Sequence, residues 1–131
     1  MTDKLILIVE DNEKNRKLMR DVLQFQGYRT VESENAEEGL RLAVELAPAL
    51  ILMDIHLPGM NGIEALGALR ADPATRGIPV MAVTASVMPQ DRQMVTAAGF
   101  DAYQSKPINV KEFLKAVKET LDRPSKAGKS P

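Results

Sequence analysis

Five short apolar runs alternate with five longer segments of helical spacing, and this alternation restricts the fold more than any other feature of the chain. The first, third and fourth runs are apolar at nearly every position, which is typical of strands covered on both faces of a parallel sheet. The second and fifth are shorter or more polar, as edge strands are. We therefore predict an α/β fold with a doubly wound parallel sheet and helices on both faces. The runs are Leu5–Val9, Tyr28–Val31, Leu50–Met53, Val80–Val83 and Asp101–Gln104.

The segments between the runs place apolar residues on one helical face and carry capping signals at their boundaries. Asn35 and Asn109 each precede a glutamate by three residues, which is the spacing of a capping interaction. Gly27 and Gly99 stand where helices should end. The segment Pro89–Ala98 has the weakest apolar stripe, so we expect a helix there to be held less tightly. The predicted buried faces are Leu18, Val22 and Phe25 in the first segment, Leu40, Ala43, Val44 and Ala47 in the second, and Val110, Phe113, Leu114, Val117 and Leu121 in the last.

Length and composition narrow the class of protein. The 131 residues fit one domain, predicted at 1–123, and the Pro-, Gly- and Ser-containing residues 124–131 are predicted to be a flexible tail or linker. A net charge of -1 without a long basic run argues against nucleic-acid binding, and the absence of cysteine excludes disulfides and thiolate metal sites. No apolar run approaches the ~20 residues that cross a bilayer, and no signal peptide is evident. We expect a cytoplasmic protein that does not bind membranes.

Polar side chains follow four of the five predicted strands. Glu10 and Asp11 follow the first strand, Asp54 ends the third, Thr84 follows the fourth and Lys106 follows the fifth. The carboxyl ends of parallel strands meet at one edge of a sheet, where open α/β sheets bind ligands, so we expect these side chains on one rim. Three carboxylates there would repel one another. A bound cation would relieve this repulsion, and an all-oxygen ligand set suits Mg²⁺, so we predict a magnesium site.

The same rim suits phosphoryl chemistry. Asp54 follows four apolar residues, where an ionised carboxylate is rarely found without a partner, and carboxylates can form aspartyl phosphates. Lys106 would supply a point charge to a phosphate oxygen, and Thr84 a hydroxyl donor. Each residue alone also has a structural interpretation: Glu10 and Asp11, with Asn12, could cap the first helix. Thr84 could end a strand and Lys106 could be solvated, but the joint placement favours the functional interpretation.

At these residues the chain resembles the receiver domains of two-component response regulators. The opening and ending of the match are most similar to single-domain cell-cycle regulators of the DivK type, or to receivers of hybrid kinases. The resemblance runs from Leu5 to about Leu121 and implies a (βα)5 flavodoxin-like sandwich with strand order 2-1-3-4-5. The segments that carry it are LILIVEDNEKNRKLM, LILMDIHLPGMNGIEAL, IPVMAVTAS and GFDAYQSKPI.

This resemblance implies that Asp54 accepts a phosphoryl group from a histidine kinase or histidine phosphotransferase, with Mg²⁺ as the cofactor. Asp11 and Asp54 would bind the ion directly, and Glu10 would help through water. The main-chain carbonyl of His56 would complete the protein ligands. The His56 ring lies at a position that tunes phosphate hydrolysis in receivers, as does Ser86, but an exposed ring without a role is equally compatible with the sequence.

The resemblance also implies a switch. Thr84 and Lys106 would hold the phosphoryl oxygens, and Thr84 would move inward together with the ring of Tyr103. The surface around the fourth helical segment and the fifth strand would then bind a downstream protein. The bond between Lys106 and Pro107 is cis in the family.

Three alternatives to a phosphorylation-dependent signalling switch remain open in the sequence. A phosphatase with an aspartate nucleophile usually has a second acid two residues later, where this chain has His56. A flavin or nucleotide module is disfavoured because neither phosphate-binding glycine motif is present. The chain could also be the receiver portion of a larger regulator or hybrid kinase. The preferred interpretation is a phospho-acceptor that is not an enzyme but assists its own phosphorylation and dephosphorylation.

Overall fold

One parallel sheet with helices on both of its faces makes up the described part of the chain, which is residues 4–85, 93, 95 and 97–122 of the computed structural model. The strands are β1 (Leu5–Val9), β2 (Arg29–Ser33), β3 (Leu50–Asp54), β4 (Val80–Thr84) and β5 (Ala102–Ser105). The helices with defined bounds are α1 (Glu13–Phe25), α2 (Ala36–Leu46), α3 (Gly62–Ala71) and α4 (Val110–Leu121). The strand order is β2-β1-β3-β4-β5, so the predicted doubly wound fold and its flavodoxin-like strand order are confirmed.

Alternate residues of the central strands face two separate cores. Leu7, Ile51 and Val80 belong to the core that includes residues of α2 and α3. Ile8 and Leu52, one position along their strands, belong to the core that includes residues of α1 and α4. Because both faces are covered, β1, β3 and β4 need apolar side chains at nearly every position, which is why their runs were recognisable in the sequence. The predicted edge strands, β2 and β5, lie at the two edges.

The predicted inward face of α1 is only partly correct: Val22 packs against the core, but Leu18 and Phe25 do not. Phe25 is 88% exposed and Leu18 is 38% exposed, whereas Met19 and Leu23 are buried. The helix carries two adjacent apolar stripes, and helical periodicity alone does not say which of them faces the sheet. The outer stripe is therefore left on the surface of α1.

The predicted face of α2 is also only partly correct. Ala43 is buried as predicted, but Val44 is 51% exposed. The buried side of α2 consists of small residues, because the helix lies close to β1: a Cβ on Gly39 would lie 2.8 Å from a methyl group of Val9. Close packing here selects against larger residues, and a hydrophobicity pattern misses such a face.

Asparagine side chains cap all four helices with defined bounds. The predicted caps are present: Asn35 accepts a hydrogen bond from the Glu38 amide at 2.8 Å, and Asn109 accepts one from the Glu112 amide at 3.1 Å. Gly27 and Gly99 have φ of 93° and 103°, a left-handed conformation that favours glycine. These caps fix where each helix begins relative to the strand before it.

Several predictions fall wholly or partly beyond the described residues. Within the predicted helix Pro89–Ala98, residues 93, 95, 97 and 98 are described and helical, and Val95 is buried. The expectation that this helix is held less tightly, the predicted tail at 124–131 and the placement of Ser86 all lie outside the described residues. No helix within the described ranges is long and apolar enough to span a bilayer.

Candidate functional site

The sheet register brings the predicted rim residues together. Val9, the last residue of β1, pairs with Met53. The next residue, Glu10, therefore lies beside Asp54 at the end of β3. Asp54 in turn pairs with Val83, one residue before Thr84. Thr84 pairs with Ser105, which places Lys106 just beyond the end of β5. Side chains from four separate parts of the sequence therefore meet at one edge because the four strands end level with one another.

An ammonium group lies between two buried carboxylates at this edge. Lys106 Nζ is 2.8 Å from Glu10 Oε1 and 3.2 Å from Asp54 Oδ2. The Glu10 and Asp54 side chains are almost completely buried, and the Lys106 side chain is 14% exposed. A buried carboxylate needs such a partner, because removing the charge from water is costly. This ion pair explains how the Asp54 carboxylate is tolerated at the end of a buried strand.

Asp11 completes a cluster of three carboxylates. One oxygen from each of Glu10, Asp11 and Asp54 lies within 4.8 Å of the others. Asp11 is exposed, unlike the other two. The predicted convergence of the three acids is therefore seen in the structure, and one side of the cluster faces solvent.

Burial and charge crowding perturb the protonation of this cluster. Burial, together with the neighbouring Asp54 carboxylate, raises the pKa of Glu10 to about 7 against the opposing effect of Lys106. Burial tends to lower the pKa of Lys106, but the ion pairs with Glu10 and Asp54 outweigh it and raise that pKa. One ammonium group thus does not fully offset the carboxylates, and the site favours additional positive charge.

These groups fit a magnesium ion by the chemistry of their donors. Every side-chain donor in the acidic cluster is a carboxylate oxygen, the type that Mg²⁺ prefers. Glu10 Oε1 is buried and, among the described residues, has no hydrogen-bond donor besides its ion pair with Lys106. The raised pKa of Glu10 points in the same direction, because a divalent cation would favour the ionised form.

Main-chain contacts fix the Asp54 carboxylate. The His56 amide donates to Asp54 Oδ1 at 3.0 Å, while the His56 ring is exposed. The turn after Asp54 folds back so closely that a Cβ on Gly62 would lie 2.4 Å from the Asp54 carbonyl oxygen. The Gly62 amide also donates to the Ile55 carbonyl at 3.0 Å. Sequence reasoning missed Gly62, although an Asn-Gly pair at the start of a helix is a usable signal for such a turn.

The remaining predicted residues belong to β4, β5 and the turn after β5. The Thr84 side chain is buried, and its carbonyl accepts a hydrogen bond from the Lys106 amide at 2.8 Å. Tyr103 is partly buried against the core that includes α2 and α3. The bond between Lys106 and Pro107 is cis, as the resemblance implied. The predicted cap within the segment Glu10, Asp11 and Asn12 is present: it is formed by Asn12, which accepts from the Asn15 amide, and not by either acid.

Comparison with known proteins agrees with this geometry. The sequence profile of the response regulator receiver domain matches residues 6–118. The polar-differentiation response regulator DivK of Brucella anthropi is 47% identical over 118 residues, which cover 90% of this chain and 96% of that protein. The corresponding protein of Brucella ovis is 46% identical over the same shares of both chains.

A solved structure shows a related fold with a metal ion bound. The receiver domain of a sensor histidine kinase from Pseudomonas aeruginosa, solved with a magnesium ion coordinated in its active-site cleft, superposes with a TM-score of 0.86. It is 30% identical, and the match covers 93% of this chain and 100% of that one. A CheY-like receiver domain from Methanospirillum hungatei superposes with a TM-score of 0.83 at 33% identity, covering 92% of this chain and 95% of that one.

Proposed function

Because this chain belongs to the response regulator receiver domains, a family of phospho-acceptor signalling domains, we propose that Asp54 is the residue that accepts the phosphoryl group. The phosphodonor is a phosphohistidine on a histidine kinase or histidine phosphotransferase. The observation that carries the proposal is the position of Lys106, whose ammonium group contacts both Asp54 and Glu10 within the acidic cluster. A buried carboxylate with a cation beside it can attack phosphorus while the cation neutralises the incoming oxygens.

In the transfer, an Asp54 carboxylate oxygen forms a bond to phosphorus as the bond between phosphorus and the donor imidazole nitrogen breaks. The bonding electrons of the broken bond stay on the imidazole. Lys106 balances the negative charge of one phosphoryl oxygen, and the Thr84 hydroxyl donates to another. Phosphoryl transfer requires mostly positioning and charge neutralisation, and this rim supplies both. In this sense the chain assists its own phosphorylation, and also its dephosphorylation, without being an enzyme.

The acidic cluster is the proposed magnesium site. Asp11 and Asp54 would bind the ion directly, Glu10 would act through water, and the main-chain carbonyl of His56 would complete the protein ligands. The bound ion would neutralise phosphoryl oxygens in the transition state. Glu10 then also has a local role, because its carboxylate holds Lys106 at 2.8 Å and so keeps the ammonium group near Asp54.

Phosphorylation is proposed to act as a switch on protein contacts. Thr84 would move toward the phosphoryl group, and the ring of Tyr103 would turn inward. The surface around the segment between β4 and β5, together with β5, would then bind a downstream protein. We propose that residues 1–123 form the receiver domain and that 124–131 are a tail or linker. The ATP that charges a histidine kinase is cytoplasmic, so the proposal places this domain in the cytoplasm.

The test compares the wild type with Asp54→Asn in acetyl phosphate and Mg²⁺, with Asp21→Asn as a control. Asp21 is exposed on α1, where its carboxylate contacts Arg20. The wild type and the control should gain one phosphoryl group, detected by intact mass and removed by hydroxylamine, and Asp54→Asn should gain none. A hydroxylamine-sensitive phosphoryl group on Asp54→Asn would contradict the proposal. Rapid multiple turnover of a generic phosphoester by the wild type would favour a phosphatase instead.

A further inference from the structure

Arg16 connects the turn after β1 to the edge of the sheet. It lies in the first part of α1, and its side chain is only 12% exposed. Its Nη1 donates to the main-chain carbonyl of Glu10 at 2.9 Å. Its other nitrogens contact two acidic side chains, Glu32 of β2 at 3.3 Å and Glu34 at 3.4 Å. One guanidinium therefore contacts three acceptors from two different parts of the chain.

The contact with the Glu10 carbonyl completes a set of bonds around that residue. The Glu10 amide donates to the Ser33 carbonyl at 3.0 Å, and Glu10 Oε2 accepts from the Asn12 amide at 3.1 Å. With the Arg16 bond to the carbonyl oxygen, the main chain of Glu10 is held on both sides. The carbonyl belongs to the peptide between Glu10 and Asp11, so the orientation of this peptide is fixed as well.

The position of the Asp11 side chain depends on the peptide between Glu10 and Asp11. Its side chain is exposed and makes no hydrogen bond or ion pair with any described residue. A carboxylate oxygen of Asp11 nevertheless lies within 4.8 Å of oxygens of Glu10 and Asp54. The backbone sets the position of the Asp11 Cβ, from which the carboxylate extends toward the cluster, and the peptide before Asp11 is anchored by Arg16.

The acidic partners of Arg16 also limit its effect on a nearby cation. A guanidinium next to a metal site would repel a divalent ion if its charge were unbalanced. Glu32 and Glu34 balance the charge of Arg16. They also hold its planar guanidinium in the orientation in which Nη1 donates to the Glu10 carbonyl. Arg20, one turn further along α1, shares Glu32 at 3.3 Å, and its hydrogen bonds within the described residues do not include the Glu10 carbonyl.

We infer that Arg16 is a positioning residue for magnesium binding, because its guanidinium fixes the peptide between Glu10 and Asp11 and thereby the point on the backbone from which the Asp11 side chain extends. The inference rests on the proposed function, in which Asp11 is a magnesium ligand. Groups that orient metal ligands without touching the metal commonly change its affinity when they are removed. Arg16 would act in this way from outside the acidic cluster.

The experiment measures Mg²⁺ affinity by calorimetry on the full chain, comparing the wild type with Arg16→Met and Arg20→Met. The two variants remove the same charge from neighbouring turns of α1, and each takes away one of the two arginines that contact Glu32. Only Arg16→Met loses the bond to the Glu10 carbonyl and the contact with Glu34. We expect Arg16→Met to bind Mg²⁺ about tenfold more weakly, within the range for such orienting groups. Arg20→Met should match the wild type. Raising Mg²⁺ should restore the rate of phosphorylation of Arg16→Met by acetyl phosphate.

Equal affinities of Arg16→Met and Arg20→Met, or a tighter affinity of Arg16→Met, would overturn the inference. If Arg16→Met does not fold, Arg16→Lys provides the measurement. A single ammonium group does not reproduce the planar fork, so weaker Mg²⁺ binding is expected, and unchanged affinity would overturn the inference. If the wild type itself binds no Mg²⁺, the proposed magnesium site fails. If the wild type binds and the Arg16 variants bind as tightly, only the role of Arg16 fails.

Discussion

At the scale of single residues, the chemistry of the site depends on two buried carboxylates sharing one lysine. Lys106 is 2.8 Å from Glu10 and 3.2 Å from Asp54, and one positive charge faces two negative ones. The imbalance appears at Glu10, whose pKa is raised to about 7. The acidic cluster therefore favours the binding of a cation, and its own protonation state changes close to neutral pH.

The first prediction concerns the stability of the metal-free protein. Glu10 has a pKa of about 7 in the folded chain and an ordinary value of 4.5, so the folded state binds more protons between these values. The free energy of unfolding should therefore fall as pH rises through this window, by at most about 1.4 kcal/mol per pH unit from this group. Urea unfolding in EDTA at several pH values measures the slope.

Glu10→Gln is the matched variant for that measurement, because it keeps the shape of the side chain and removes its titration. The contribution of Glu10 to the slope should disappear, and the variant should show a flatter dependence than the wild type between pH 4.5 and 7. An identical slope in the two proteins would show that Glu10 does not carry the proton linkage.

At the scale of elements, α3 packs closely against the end of β3 because Gly62 has no side chain. A Cβ on Gly62 would lie 2.4 Å from the Asp54 carbonyl oxygen and 2.8 Å from the Ile55 Cα. Both of these neighbours are main-chain atoms at the end of β3 and the start of the following turn, so they cannot move without moving Asp54. The helix N-terminus and the Asp54 carboxylate are therefore positioned together.

Substitution of Gly62 by alanine should consequently destabilise the protein by at least about 1–3 kcal/mol, the usual cost of overpacking, and should slow phosphorylation. Gly67→Ala in the same helix is the control, because nothing lies within 4 Å of its Cβ position. That control should gain about 0.5–1 kcal/mol from alanine's higher helix propensity. Urea unfolding measures the free energy of unfolding of both variants. Equal effects of the two substitutions would contradict this account.

A second contact between elements joins α3 to the entry of β4 and β5. Asp101 Oδ2 accepts from Arg70 Nη2 and from the Val80 amide, both at 2.8 Å, while Arg70 Nη1 donates to the Ile78 carbonyl at 2.7 Å. Asp101→Asn should cost about 1.5–3 kcal/mol, as expected for hydrogen bonds to a charged group. Asp21→Asn, at an exposed ion pair, should change unfolding by less than about 1 kcal/mol. A similar loss in both variants would rule out a special role for the Asp101 contacts.

At the scale of the whole molecule, the sequence predicted what depends on burial along the strands and on their connections. The runs around β1, β3 and β4 were apparent because these strands are covered on both faces, and the rim residues followed from where those strands end. The inward face of α1 was only partly predicted because Leu18 and Phe25 are as apolar as the buried Met19 and Leu23. Gly62 and Arg16 were missed because their roles are distances to main-chain atoms, which no periodicity encodes.

The acidic cluster couples the stability of the whole fold to magnesium, because a ligand that binds only the folded state stabilises it in proportion to the logarithm of its concentration over its Kd. At 100 times the Kd the gain should be about 2.7 kcal/mol, seen as a rise in Tm. Protonation of Glu10 below its pKa of about 7 removes a charge from the site, so the gain should be smaller at pH 5.5 than at pH 8. Thermal unfolding with Mg²⁺ and with EDTA measures the difference, and Asp54→Asn should lose most of the gain at both pH values. A magnesium effect that is equal at the two pH values, or undiminished in Asp54→Asn, would mean that the ion binds elsewhere.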